Sequence, residues 1–317
     1  MTEPLGDEEY TRPRLAALGS VRIRVPAKIN LHLQVGPLRA DGFHELTTVY
    51  HAISRFDELT ARRGDTLSLT MEGEGAGELP LDERNLVIRA VQALATHTGR
   101  EPLARLHLRK QIPVAGGLAG GSADAAAALV ACDALWGTDL GRDELAEVAV
   151  TLGSDVPFLV LGGTALGTGR GERVSPVLAG GGSWYWVLAV ADDGLATPTV
   201  YAELDRLRDA DVAPPPVGAP DALLAALRQR DPKVLAKALA TDLQAAALSL
   251  RPELSRTLEA GLDAGALAGM VSGSGPTCVF LATDPRHADS VAARLVEADV
   301  CRLVHAAHGP VPGARVV

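Results

Sequence analysis

The sequence predicts a two-domain α+β protein. Short apolar runs of period two come first, helical segments then interleave with further strands, and the composition breaks at Gly180-Gly-Gly-Ser183. The boundaries predicted are a disordered extension over 1–20, a first domain over 21–180 and a second over 181–317. The cleft between the two domains is the expected site.

The elements follow in order. Val21, Ile23 and Val25 mark a strand, and Leu31, Leu33 and Val35 mark another after a break at Pro26–Asn30. Thr66–Met71 and Arg105–Lys110 read as strands. Leu86–Thr98 reads as a helix, with the acidic residues of Asp82-Glu83-Arg84-Asn85 favouring its first turn. A glycine-dense loop, Pro113–Ser122, runs into an alanine-rich helix, Ala123–Leu135. Asp143–Leu152 is helical, with Gly153 as a left-handed terminator. Gly162–Gly171 reads as strands and turns, and Trp184–Ala191 as a buried strand. Mostly helical segments follow, broken at Pro214-Pro215-Pro216. Ala266–Ala282 reads as strand, turn and strand, His287–Ala298 as a helix and Arg302–Ala306 as a last strand.

Composition excludes several functions. The 317 residues are 47% hydrophobic, ample for a core, and carry a net charge of −9. That balance opposes general binding to nucleic acid or an anionic membrane, both of which call for a basic surface. Cys132, Cys278 and Cys301 are an odd, scattered set without metal-ligand spacing, as expected of reduced thiols in the cytoplasm. No apolar run approaches the ~18 residues of a membrane span, and Met1–Ser20 has no signal-peptide core.

Four segments carry chemistry. Gly116, Gly117, Gly120 and Gly121 allow close backbone approach just before a helix N-terminus, where free N–H groups attract anions. Ser122 is placed to cap that helix or to touch a phosphate or its metal. A tight packing loop is the plain structural alternative. No lysine follows, so a Walker A loop does not fit, and GGxxGGS is not a dinucleotide fingerprint. Lys28 is one of only four lysines, set between two apolar strands where a solvated turn is the alternative. Asp155 lies in Leu152-Gly-Ser-Asp-Val-Pro157, where it can act or merely cap a helix. Val271-Ser-Gly-Ser-Gly-Pro276 holds a phosphate or only reverses the chain. Together the four form a kit for phosphoryl transfer, which needs positioning, charge neutralisation and a proton acceptor.

These segments resemble the GHMP kinases. Pro26-Ala-Lys-Ile-Asn-Leu31 is similar to that family's first motif, Pro113–Ala125 to its ATP-phosphate loop and Ser272–Pro276 to its third motif. Arg39–Leu46, Leu152–Pro157 and Thr197-Pro-Thr-Val-Tyr201 resemble the branch that acts on a cytidylated methylerythritol. The resemblance implies a two-domain GHMP fold that uses ATP and Mg²⁺. It implies that Asp155 takes the proton of a substrate hydroxyl and that Lys28 holds the carboxylate and the developing alkoxide. ATP would lie on Pro113, Val114, Ala115, Gly116, Gly117, Leu118, Ala119, Gly120, Gly121 and Ser122, with Asn85 and Lys110 alongside and Ser122 as the metal contact. Phe43 and Tyr201 would sandwich cytosine and His44 would bond its edge, with Asn30, Thr197, Gly273, Ser274 and Gly275 also on the substrate. Departures are Phe43 for a common Tyr, Ala115 and Ala119 for glycines, Ser122-Ala-Asp124 for Ser-Ser-Asn or Ser-Ser-Asp, and Ser274 for Thr.

The expected partner is therefore a small cytidylated polyol, with no nucleic acid or membrane, the chain being a monomer or weak homodimer. Alternatives on the same fold are a homoserine, mevalonate or sugar kinase, a non-catalytic nucleotide sensor, or a decarboxylase. The decarboxylase needs a dedicated arginine, for which Arg22, Arg24 and Arg39 are candidates.

Overall fold

The computed structural model describes residues 19–178 and 181–317. The expected disordered extension, apart from its last two residues, lies outside them, as do Ala179 and Gly180 at the composition break. The first half carries strands β1 (Ser20–Leu38), β2 (His44–Arg62) and β3 (Ser68–Gly73), helix α1 (Leu86–Thr98) and strand β4 (Arg105–Lys110). Helices α2 (Gly120–Trp136), α3 (Arg142–Val150) and α4 (Val156–Leu161) follow, then β5 (Thr164–Gly169) and β6 (Arg173–Pro176). The second half opens with β7 (Trp184–Val190), α5 (Thr197–Asp209), α6 (Asp221–Gln229), α7 (Pro232–Ala236) and β8 (Ala240–Thr241). It continues with α8 (Leu243–Leu250), α9 (Glu253–Asp263), β9 (Ala268–Val271), β10 (Cys278–Ala282), α10 (Pro285–Ala298), β11 (Leu303–Gly309) and β12 (Arg315–Val316).

Two sheets result. The first runs β12-β1-β2-β4-β3, with β5 and β6 continuing from β2 and the short β8 parallel to β1; the second runs β11-β7-β10-β9. Strands β1 to β6 precede the composition break, yet β8 and β12 return from beyond it to the first sheet. The largest apolar cluster accordingly joins Ile29 and Leu59 of the first sheet to Trp186 and Leu281 of the second.

Residues 20–38 form one strand, not the two expected. Pro26 opposes Phe56 at a register shift, and a second shift falls between Asn30 and His32. A bulge accommodates a residue with no N–H to donate, so Pro26 bends the strand without ending it. The alternation of exposed and buried residues stops at Val25, and everything from there to Leu33 is buried. The strand is covered on both faces at that level, which puts Lys28 and Asn30 inside the molecule.

Other boundaries shift for local reasons. Asp82 and Glu83 precede α1, whose first turn is not acidic; Asn85 caps it by accepting from Val87 N–H. Helix α3 ends at Val150 with a right-handed C-cap at Thr151, and Gly153 stays outside the left-handed region. Helix α2 begins three residues early, at Gly120, so Gly121 and Ser122 sit in its first turn. It is apolar all round and almost wholly buried, as a central helix should be. The C-terminal segment closes on α4: Ala314 N–H donates to Leu159 O at 2.9 Å and Gly163 N–H to Val311 O at 2.8 Å, before β12 pairs with β1. Among the described residues no helix is long and apolar enough to cross a membrane.

Candidate active site

Lys28 sits between the first two of the three irregularities of β1, with its ammonium 2.8 Å from Asn30 Oδ1, 3.2 Å from Gly117 O and 3.7 Å from Asp155 Oδ2. Asn30 is itself oriented, since its Nδ2 donates to Thr48 Oγ1, which donates to His32 O, each at 2.7 Å. Asp155 occupies the N-cap position of α4, but its side chain makes no capping bond. The capping alternative therefore fails for Asp155, whose side chain is 30% exposed to the cleft. At 3.7 Å the pair is a slack ionic contact, not a tight hydrogen bond.

The glycine loop arrives from the other side. Gly117 has φ of +73°, and a Cβ there would stand 2.2 Å from Ser272 O, so only glycine lets this loop seat on the Ser272–Gly275 turn. A Cβ on Gly273, at φ +57°, would stand 3.1 Å from Asn30 Oδ1 and 3.3 Å from the Lys28 ammonium. Three sequence motifs thus meet at one lysine. The loop delivers the N-terminus of α2, and the first turn of such a helix has free N–H groups and a dipole that attract anions. Ala115 and Ala119 hold φ of +52° and +58°, an uncommon and costly backbone for alanine. Ser122 is half-buried there, and its hydroxyl has no partner among the described residues.

These groups line one cleft of about 720 Å³. At its far end the Phe43 ring is 50% exposed, with the Arg170 guanidinium 4.8 Å from its centroid. Tyr201, on α5, stacks on His44 at 5.4 Å. Thr197 and Ser274 share a hydrogen bond of 3.0 Å across the cleft floor. Burial, then the charge of Asp155, pushes the Tyr201 hydroxyl well above its ordinary range, and the same two causes act on Tyr50. Both phenols stay neutral donors.

The structure corrects several expected contacts. Lys110 does not reach the cleft: its ammonium is sealed between Asp57 Oδ2 at 2.8 Å and Asp124 Oδ2 at 2.7 Å, beneath the glycine loop. Burial opposes its charge, but the two carboxylates outweigh it and raise the lysine. Burial pushes Asp124 up against the pull of Lys110. Asn85 spends its side chain on the α1 cap and on Pro80 O. Leu118 points into the core while its carbonyl accepts from Lys28 N–H, and Pro113, Val114 and Gly275 support the loops without facing the cleft. Both ring nitrogens of His44 are engaged, Nδ1 with Gly36 O at 2.9 Å and Nε2 with Asp205 Oδ2 at 3.2 Å, so His44 braces Tyr201 instead of offering a free edge. Arg22, Arg24 and Arg39 lie away from the cleft, and Arg24 and Arg39 are paired with Glu58 and Glu45.

Sequence reasoning missed Tyr50, Arg170, Asp205 and Ser154, all of which line the cleft. Tyr50 lies in β2, a strand that the sequence reading did not mark. Arg170 carried a usable signal, since it lies between Gly169 and Gly171 at a hairpin tip.

Residues 85–163 match the family description GHMP kinases N terminal domain, and residues 223–300 match GHMP kinases C terminal. A protein of Salinispora tropica named 4-diphosphocytidyl-2-C-methyl-D-erythritol kinase is 72% identical over 316 residues, covering 100% of both chains. The chain belongs to this family of GHMP kinases. A crystal structure of a 4-(cytidine 5'-diphospho)-2C-methyl-D-erythritol kinase superposes with a TM-score of 0.74 at 32% identity, over 90% of this chain and 98% of that one. A homoserine kinase from Cytophaga hutchinsonii has a TM-score of 0.72 at 20% identity, over 95% and 98%. That second likeness shows only the fold, which GHMP kinases with different acceptors share. The expected family and fold class are both borne out.

Proposed function

We propose that this cleft transfers the γ-phosphoryl group of ATP to the 2-hydroxyl of 4-diphosphocytidyl-2-C-methyl-D-erythritol, in the non-mevalonate route to isoprenoid precursors. The observation that carries the reading is the meeting of Lys28, Asp155 and the glycine loop in one cleft whose far end is aromatic. The sequence relationship to kinases of that name selects the acceptor within the fold.

Asp155 accepts the proton of the 2-hydroxyl as its oxygen bonds to the γ-phosphorus, and ADP departs with the bridging oxygen. Lys28 supplies positive charge beside that oxygen, held in place by Asn30 and Gly117 O. Most of the acceleration comes from alignment and fixed charge. The first turn of α2 binds ATP phosphates. Mg²⁺ fits as an ion carried chiefly by phosphates and water, with Ser122 the protein contact; the described residues hold no group of three metal-binding side chains, and Mg²⁺ in such sites needs few. Phe43 and Tyr201 flank the cytosine. The two domains are 21–180 and 181–317, the second lending β8 and β12 to the sheet of the first, and the enzyme works in the cytoplasm as a monomer or weak homodimer.

The test is ADP release by purified protein with ATP and Mg²⁺, offered the cytidylated polyol, homoserine or mevalonate in turn. The reading expects release with the first alone. Turnover of homoserine or mevalonate and not of the cytidylated polyol would replace it with another GHMP kinase, and no turnover of any would favour a sensor.

A further inference from the structure

We infer that Arg170 binds the diphosphate of the cytidylated substrate, with the Phe43 ring as the platform that aims it. The inference rests on the substrate reading above. A substrate joined through a diphosphate brings a second polyanion into the cleft besides ATP. The backbone cradle at α2 serves ATP, and Lys28 is committed to Asn30, Gly117 O and Asp155. Among the charged side chains lining the cleft, Arg170 is the other permanent cation, and among the described residues its guanidinium has no carboxylate oxygen within 4.0 Å.

Its placement is built, not incidental. Gly169 and Gly171 flank it at φ of +73° and +100°, and Gly171 N–H closes the turn on Thr168 O at 3.1 Å. A Cβ at Gly171 would stand 2.3 Å from the Tyr50 hydroxyl, so the hairpin tip is pressed against the cleft wall. Arg170 N–H donates to Glu172 Oε2 at 2.6 Å, which fixes the tip without using the guanidinium. The guanidinium lies 4.8 Å from the centroid of Phe43, and such stacking leaves its in-plane N–H groups free for bidentate contact with phosphate oxygens. The exposed remainder of the ring is available to the base. The base-stacking residue and the phosphate-binding residue thus lie side by side, within the span of one nucleoside diphosphate.

The experiment titrates CDP, cytidine and ATP into wild type, Arg170→Met and Arg170→Lys by calorimetry, with KM values measured alongside. Arg170→Met is expected to weaken CDP about 10- to 100-fold, the range for loss of a charged hydrogen-bond pair. Cytidine and ATP should be unchanged, and the KM of the cytidylated substrate should rise while kcat holds. Arg170→Lys should recover part of the CDP loss, because it restores the charge but not the fork. Unchanged CDP binding, or an equal loss for cytidine, would overturn the inference, the latter reducing Arg170 to a prop for Phe43. A loss confined to ATP would move it to the other polyanion. Wild type that binds neither CDP nor cytidine would overturn the cytidylated-substrate reading itself, and this assignment with it.

Discussion

Two lysines, each set between carboxylates and glycines, do opposite work. Lys28 faces Asp155 across 3.7 Å, with the carboxylate 30% exposed to the cleft. Lys110 is clamped by Asp57 and Asp124 at 2.8 and 2.7 Å, all three side chains being at most 6% exposed. Asp57 also accepts from the N–H groups of Gln111 and Ile112, the residues that lead into the glycine loop. The sealed cluster fixes where the loop starts, and the slack one lies where the loop reaches the cleft; on the proposed reading its carboxylate is the base. A base must shed its partner to take a proton, so its ion pair cannot be saturated. A structural cluster needs close partners, because a buried charge left alone is costly; here burial pushes Asp124 up, and its Oδ1 is the one oxygen of the two aspartates without a hydrogen-bond partner among the described residues.

The largest test of this contrast is Asp155→Asn. It should lower kcat about 10²- to 10⁴-fold, the usual worth of a general base, while a half-open ion pair costs about 1 kcal/mol of stability or less. A variant with near-normal turnover and a large fall in melting temperature would make this pair structural, like the other. Lys110→Met should do the reverse. Losing one partner of a buried cluster costs about 3–5 kcal/mol, read as a fall in urea midpoint, and Lys110→Met combined with Asp124→Asn should recover part of it. Full stability with activity alone lost would exchange the roles of the two clusters.

His51 shows burial without a counter-charge. It is fully buried, Nδ1 bonds Thr164 Oγ1 at 2.8 Å, and burial lowers its pKa from 6.5 to about 3. The unfolded chain takes up a proton below pH 6.5 that the folded chain refuses until about pH 3. Stability should therefore fall as pH drops through that window, by about 1.4 kcal/mol per unit from this group. Burial lowers His32 too, adding in the same sense. Urea midpoints at pH 7 and 5 should show a smaller drop in His51→Gln than in wild type; an equal drop would mean that another group carries the slope. The smallest effect concerns the loop that joins the two lysine clusters. Ala119 pays a left-handed penalty at φ +58°, and Ala119→Gly should gain about 0.5–1 kcal/mol, net of glycine's chain entropy. A lower melting temperature would mean that its methyl packing outweighs the backbone strain.

Much of this was legible in the sequence. The glycine loop, Lys28, Asp155, Phe43 and Tyr201 stood out because each residue type is out of place in its segment, and the structure gathers all of them in one cleft. Helix α1 and strand β4 fall on the residues expected, because local periodicity and capping decide them. Lys110 stands beside the nucleotide only by resemblance, and a motif position does not say whether a ligand or two aspartates will meet a side chain. Tyr50 and Asp205 left no local trace, since a tyrosine in a strand and an aspartate on an exposed helix are ordinary.

The sequence by itself determined many of the element types, though not the long strand β2, together with the chemical kit and, by resemblance, the family, because backbone preference, side-chain period and motif are properties of neighbouring residues. Tertiary structure alone decided that β1 passes unbroken through Pro26, that Arg170 comes to lie over Phe43, and which of two similar lysines is left open. The ionic environment of a side chain is set by residues distant in the chain, and only the packed fold states which of those arrive and how much water stays with them.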